Sequence, residues 1–291
     1  MGGGAWTAKA FTNYSVSSGR DVVETNGIFH LADGYSAQDL YKSKRIQKEL
    51  DPCGVIRECC DSEEHPNTIP VILALDVTGS MGSAAVAVAQ KLNEVMTKLY
   101  EQVQDVEFLV MGIGDLAYDD APIQASQFES DIRIAEQLDK IYFEGGGGGN
   151  SYESYTGAWY FGARHTRLDC WNRGKKGIII TMGDEPLNPY LPKDRLAQVC
   201  GDNLQGDVET KDIYDEASEK YDIYHLAVND RATSYKWHKD DIHSSYPKYL
   251  DESHFKVVSL DNIAQTIVDI VTASSQNNAT VATSATGEIS W

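Results

Sequence analysis

From Ile69 to Leu75 the chain is almost unbroken in apolar side chains, and polar groups then appear at alternate positions from Asp76. A run of that length without internal alternation predicts a strand covered on both faces, as in a parallel sheet. The pattern recurs at Val106–Ile113, Lys176–Met182 and Ile223–Val228, with shorter runs at Ile123–Phe128 and Phe255–Leu260. Between the strands the period lengthens. Ala85, Val88, Ala89, Leu92, Val95, Met96 and Leu99 recur at three- and four-residue steps, which predicts a helix of about six turns with one apolar stripe. Further helices are expected at Ile132–Ile141, from Tyr152–Glu153 onward, near 193–200 and 210–220, and from an Asp261 N-cap to about Ala273. The stretch 234–251 is aromatic and mixed.

Strands alternating with helices over 69–275 predict one α/β domain. The expected core is a doubly wound, mainly parallel six-stranded sheet in the order 3-2-1-4-5-6, with helices on both faces. Residues 1–68 read as an N-terminal extension. Its first thirty residues are rich in Gly, Ser, Thr and Asn, either an arm packed on the domain or a leader. Ala37, Leu40, Tyr41, Lys44, Ile46 and Leu50 have loose helical spacing that Asp51-Pro52 ends. The polar segment 276–291 is expected to be a mobile tail.

Charge narrows the function. There are 25 basic and 44 acidic residues, a balance of −19 that repels phosphate backbones and excludes nucleic acid as the expected partner. No apolar run is long enough to span a bilayer, and Met1–Trp6 has neither a basic nor an apolar segment of the secretory kind. Five cysteines, without a C-x-x-C pair, are expected as reduced and partly buried thiols, which places the chain in the cytoplasm. Cys53, Cys59 and Cys60 followed by His65 sketch a zinc site, but their spacing fits no common pattern.

The candidate chemistry sits where the first strand ends. Asp76, Thr78 and Ser80 present three hard oxygens from one short turn, and Gly79 leaves the backbone free to bend. Such donors suit Mg²⁺ or Mn²⁺ over a soft metal. In the order 3-2-1-4-5-6 the strands ending near Asp76 and Asp184 are neighbours at the switch point, so the two carboxylates share a rim.

Asp76-Val77-Thr78-Gly79-Ser80 resembles the D-x-S/T-x-S signature of the metal-ion-dependent adhesion site in von Willebrand factor A (vWA) domains, with Thr at the first hydroxyl position. Thr181-Met182-Gly183-Asp184 is similar to that family's strand-end T-D-G/A segment. Gly145–Gly149 followed by Asn150, Ser151, Tyr152 and Glu153 resembles a bacterial and phage-type subgroup with a glycine-rich second loop. The resemblance covers about 69–275. It implies a Mg²⁺ site, able to take Mn²⁺ or Ca²⁺, in which Thr78 and Ser80 ligate directly while Asp76 and Asp184 act largely through water. Asn150 or Ser151 is the implied residue of the second loop, Thr156 lying too far into the helix. The implied function is recognition: a partner protein supplies an Asp or Glu to the ion. By family analogy that partner belongs to an AAA+ ATPase system. Asp115 reads as a turn residue, and Pro186 is expected to aim Glu185 outward.

Enzyme motifs are incomplete. Thr78 occupies the glycine position of a G-x-S-x-G elbow around Ser80. A haloacid-dehalogenase-type phosphatase would use Asp76 as nucleophile but needs a second acid where Thr78 stands. The expectation is therefore a non-enzymatic module. Two alternatives remain: a vWA fold with a degenerate, metal-free site, and a phosphatase-like enzyme using Asp76.

Overall fold

The computed structural model describes residues 4–145 and 149–284. Six strands form the main sheet: β1 (Ile69–Asp76), β2 (Val106–Ile113), β3 (Ile123–Ala125), β4 (Gly177–Gly183), β5 (Tyr221–Val228) and β6 (Phe255–Val258). Their lateral order is β3-β2-β1-β4-β5-β6, the doubly wound order expected from the alternation of elements. Every pairing is parallel except that of the short edge strand β3 with β2.

The main helices are α1 (Gly82–Gln102), α2 (Arg133–Leu138), α3 (Thr156–Arg164), α4 (Thr210–Lys220), α5 (Tyr235–Ser245) and α6 (Ile263–Ser284). Side chains of α1, α2 and α6 fill one face of the sheet, and those of α3, α4 and α5 fill the other. This explains the unbroken apolar run of β1. Val71, Leu73 and Leu75 enter the first cluster while Ile72 and Ala74 enter the second, so neither side of the strand can be polar.

Several boundaries differ from those the sequence pattern predicts. The first thirty residues form a helix, Ala8–Ser17, and a hairpin of Val22–Thr25 with Ile28–Leu31. They are an arm fastened to α1. Trp6 Nε1 donates to Asn93 Oδ1 at 2.8 Å, and Asn93 Nδ2 donates to the Phe29 carbonyl at 2.7 Å. Of the helix expected across 36–50, only Ala37–Leu40 and a 3₁₀ turn at Lys48–Leu50 form. Tyr41 leaves the helical backbone and sends its hydroxyl to the Ala85 carbonyl at 2.8 Å, while Arg20 takes the Leu40 carbonyl at 3.0 Å. Tertiary bonds end that helix early.

The mixed stretch 234–251 contains α5, whose inward positions Tyr235 and Ile242 are one heptad apart. α3 starts at Thr156, later than Tyr152–Glu153, because the preceding residues are drawn into the site described below. α6 continues past Ala273 to Ser284, and residues 285–291 lie outside the described residues. Its first helical bond runs from the Thr266 N–H to the Asn262 carbonyl, so the cap position is Asn262, one residue after the expected Asp261. Among the described residues no helix is long and apolar enough to cross a membrane.

The arm makes a prediction about stability. Trp6 is 6% exposed and holds Asn93 at a buried position. Trp6→Ala removes a large buried ring and orphans an amide, so urea unfolding should show a loss of about 3–5 kcal/mol. A loss under about 1 kcal/mol would mean that the arm is not part of the cooperative unit.

Candidate metal centre

The register of β1 against its neighbours sets the site. Asp76 pairs with Ile113 of β2, and Leu75 pairs with Met182 of β4. The next residues on β4, Gly183 and Asp184, therefore come up beside Asp76. The chain leaves β1 toward α1 on one face, whereas α4, following β4, lies on the other. That divergence opens the crevice in which doubly wound folds place their ligands.

Asp76 is fully buried. Its Oδ1 accepts the Thr78 N–H at 2.9 Å and the Thr78 hydroxyl at 2.6 Å. Its Oδ2 accepts the Tyr155 hydroxyl at 2.7 Å. Thr78 Oγ1 is 3.4 Å from Ser80 Oγ, and Ser80 Oγ donates to Asp184 Oδ1 at 3.1 Å. Asp184 Oδ2 accepts the backbone N–H of Ser234, just before α5. One chain of hydrogen bonds thus crosses from Tyr155 through Asp76, Thr78, Ser80 and Asp184 to Ser234.

Tyr155 is the residue of this group that sequence patterning missed. Its ring is wedged against Gly183, where a β-carbon would overlap it. His225 and Tyr246 pack behind it, with ring centroids 5.1 and 6.4 Å away. His225 donates or accepts at Thr181 Oγ1 over 2.8 Å, and burial pulls its pKa down to about 3, so the wall behind Asp76 is uncharged.

The second loop contributes differently from the resemblance. Asn150 and Ser151 are exposed, and no hydrogen bond among the described residues joins either to Asp76, Thr78, Ser80 or Asp184. Asn150 Oδ1 accepts the Tyr152 N–H at 3.1 Å. Gly146–Gly148 lie outside the described residues. Thr156 is engaged elsewhere, its Oγ1 accepting from Asn188 Nδ2 at 2.6 Å. What this loop turns inward is Glu153, 4% exposed, whose Oε2 has no hydrogen-bond partner among the described residues. Asp115 Oδ2 is likewise buried and without one.

Glu185 does not aim outward. Its side chain is 16% exposed, and Oε1 is 4.0 Å from His238 Nε2. Among the described residues no Lys or Arg pairs with Asp76, Glu153, Asp184 or Glu185.

Electrostatics follow from that imbalance. Burial, then the charge of Asp184, holds the Asp76 carboxyl well above the ordinary range. Burial, then Asp76 and Glu185, does the same to Glu153. Burial raises Asp184 as well, and lifts Glu185 to about 7. Crowded carboxyls without a counter-charge either keep protons or take a cation. The donors are all oxygen: two hydroxyls and several carboxylates, one with a free buried oxygen. That set fits a hard divalent ion.

The sheet order, the Asp76 loop at its switch point and the helices on both faces make the fold vWA-like. No family model matches the sequence, and no curated protein does. Solved structures are similar at low identity. The pilus adhesin SpaC from Lactobacillus rhamnosus GG, in its open conformation, is 10% identical with a TM-score of 0.45, over 88% of this chain and 36% of that one. This chain therefore spans little more than a third of the adhesin. The vWF domain of the type V pili tip protein Mfa5 from Porphyromonas gingivalis is 12% identical with a TM-score of 0.43, over 77% of this chain and 98% of the domain. The conserved hypothetical protein BatB from Bacteroides thetaiotaomicron is 15% identical with a TM-score of 0.43, over 73% of this chain and 99% of that one.

Two substitutions test the arrangement. Glu153 is held protonated in the fold, so its contribution is complete below its unfolded pKa of about 4.3 and is lost as pH rises toward the folded value. Glu153→Gln mimics the protonated form at every pH. In EDTA-treated protein the variant should match the wild type near pH 4 and exceed its urea midpoint near pH 8. A variant no more stable than wild type at the higher pH would refute the buried-acid account. Gly183→Ala must push Tyr155 off Asp76. It should cost about 1–3 kcal/mol or more, with a change in tyrosine near-ultraviolet circular dichroism. An unchanged spectrum and midpoint would show that the ring is not confined.

Proposed function

We propose that this chain is a vWA-type interaction module that uses a divalent cation, Mg²⁺ by preference, to bind a carboxylate of a partner protein. One observation carries the reading. Buried Asp76 and Asp184 accept from the Thr78 and Ser80 hydroxyls, the acids Glu153 and Glu185 lie close enough to feel their charge, and among the described residues no lysine or arginine pairs with any of the four. A divalent ion supplies the missing charge, and Thr78, Ser80, Asp76 and Asp184 are the residues that would hold it. Mg²⁺ keeps water on its remaining positions, and a partner's Asp or Glu can replace such a water.

The geometry favours access from one side. Gly79 is exposed, and Ser80 and Glu185 are half-buried, whereas Asp76 and Thr78 are closed in. Beside this opening runs a groove of about 630 Å³ bordered by Ser151, Tyr152, Pro186, Asn188 and Lys248. Its lining reaches Pro186, next in the chain to Glu185, so it offers a partner segment a bed on that side of the rim. An AAA+ ATPase system is the partner class that the vWA resemblance implies.

The same geometry weighs against the phosphatase-like alternative. A nucleophilic aspartate must present a free oxygen to phosphorus, and both oxygens of Asp76 are taken by Thr78 and Tyr155 out of solvent reach.

Calorimetric titration with Mg²⁺ and Mn²⁺ tests the ion. One site is expected, weakened at least about tenfold in Ser80→Ala and in Asp184→Asn. Wild-type affinity in both variants would sink the assignment, and absence of binding to the wild type would favour the metal-free alternative. The partner is tested by co-purification: retained with Mg²⁺, released by EDTA, and lost with Ser80→Ala. Asp76-dependent turnover of a phosphate ester would move the enzyme reading to first place.

A further inference from the structure

A second set of ligand-type side chains lies at the other end of α3. His165 follows directly after this nine-residue helix, about 14 Å of helix from the rim where Thr156 begins it. The His165 ring, Cys200 Sγ and an Asp202 carboxylate oxygen each offer a ligand atom, all within 4.8 Å of one another. His165 and Cys200 are buried, and Asp202 is partly open to solvent.

The hydrogen bonding at His165 calls for a cation. Nδ1 is 3.0 Å from the Val55 carbonyl oxygen, which can only accept, so Nδ1 carries a proton. Nε2 faces Asp202 Oδ2 at 2.7 Å. The Tyr160 hydroxyl already donates to that same oxygen. In a neutral ring a lone pair therefore points at a carboxylate. Either a second proton occupies the imidazole or a metal ion sits among the three groups, where the thiol of Cys200 completes a triangle.

The surroundings are those of a metal ligand set. An imidazole fixed through Nδ1–H to a carbonyl, and a carboxylate oriented by a tyrosine, are typical outer partners of zinc ligands. Two main-chain bonds hold the segment around Cys53–Arg57 against both loops: Gly54 N–H to the Cys200 carbonyl at 2.9 Å, and Arg57 N–H to the His165 carbonyl at 2.8 Å. Cys53 is exposed at this edge, its Sγ 3.3 Å from where a β-carbon on Gly201 would stand.

We propose that His165 Nε2, Cys200 Sγ and the Asp202 carboxylate bind a zinc-class ion that fastens the N-terminal extension to the sheet domain. Thiolate and imidazole select such an ion, whereas the oxygen-only rim at Asp76 selects Mg²⁺, so the two centres take different metals. The ion itself joins two segments distant in sequence, the end of α3 and the turn 200–202, and the 53–57 loop is held to both by hydrogen bonds through Val55, Gly54 and Arg57.

Cobalt is the probe, because only a sulfur ligand gives a thiolate-to-Co²⁺ charge-transfer band and the rim has none. Full-length reduced protein, stripped with EDTA and titrated with Co²⁺, should develop that band at one equivalent, and Zn²⁺ should bleach it. The band should disappear in Cys200→Ser and persist in Cys59→Ser and Cys170→Ser. Zinc affinity in Asp202→Asn, measured against a chromophoric chelator, should fall about 10–100-fold. Zn²⁺ should also raise the thermal midpoint of the wild type but not of Cys200→Ser. No charge-transfer band in the folded wild type, or one that survives Cys200→Ser, would overturn the site and leave His165 and Asp202 as a proton-bridged ion pair.

Discussion

A carboxylate at the end of a strand covered on both faces has no water to turn to, and Asp76 is in that position. Leaving such a group uncompensated costs several kcal/mol, so the loops around it are arranged to supply donors. Thr78 returns two of them within its own turn, and Tyr155 reaches across from the second loop. Tyr155 can do so because Gly183 has no side chain, and Gly183 stands there because the β1–β4 register brings the end of β4 beside Asp76. Donors alone do not resolve the charge. Two carboxylates about 4 Å apart repel by roughly 4 kcal/mol at an effective dielectric near 20, and here several are crowded together. The uncharged wall of His225 and Tyr246 behind them makes that repulsion harder to screen.

Much of this was legible before any coordinates. Apolar runs bury on both faces wherever they lie in a parallel sheet, so β1, β2, β4 and β5 followed from composition at each position, and their order followed from the alternation with helices. The Asp76-Thr78-Ser80 turn was legible because its three groups are neighbours in sequence, and Asp184 because the sheet order brings two strand ends together. Glu153 and Tyr155 were not. Their roles depend on how the loop folds after the glycines, and nothing in Ser151-Tyr152-Glu153-Ser154-Tyr155 tells which side chains turn inward. The helix expected from 36 to 50 failed for a related reason: loose periodicity is overridden when Tyr41 and Arg20 find better partners on other elements. α5 escaped notice because its inward residues, Tyr235 and Ile242, are only two and widely spaced.

The cysteines give the clearest case of what spacing cannot say. Cys53, Cys59, Cys60 and His65 are near one another in the chain, yet the fold sends them to different places. Cys59 is buried in the second core cluster, and His65 bonds Asp105 and the Gly4 carbonyl. Cys53 instead meets the turn of Cys200 and Gly201, which brings it toward His165 and Asp202. A donor cluster assembled from two distant segments and hydrogen-bonded to a third has no sequence signature at all.

α3 joins the two centres. Tyr155 and Thr156 stand at its start, and Tyr160 and His165 stand at its end. Gly157 and Gly162 let it lie close on the sheet, where added β-carbons would meet Ile123 Cδ1 at 3.1 Å and Ile179 Cδ1 at 2.8 Å. Coupling between sites requires an element with two arrangements that each ligand biases differently. A short helix pressed this tightly onto four central strands has little room for a second arrangement. Ions at its two ends would therefore act independently: the oxygen site would tune recognition at the rim, and the sulfur site would fix the opposite end of the same helix.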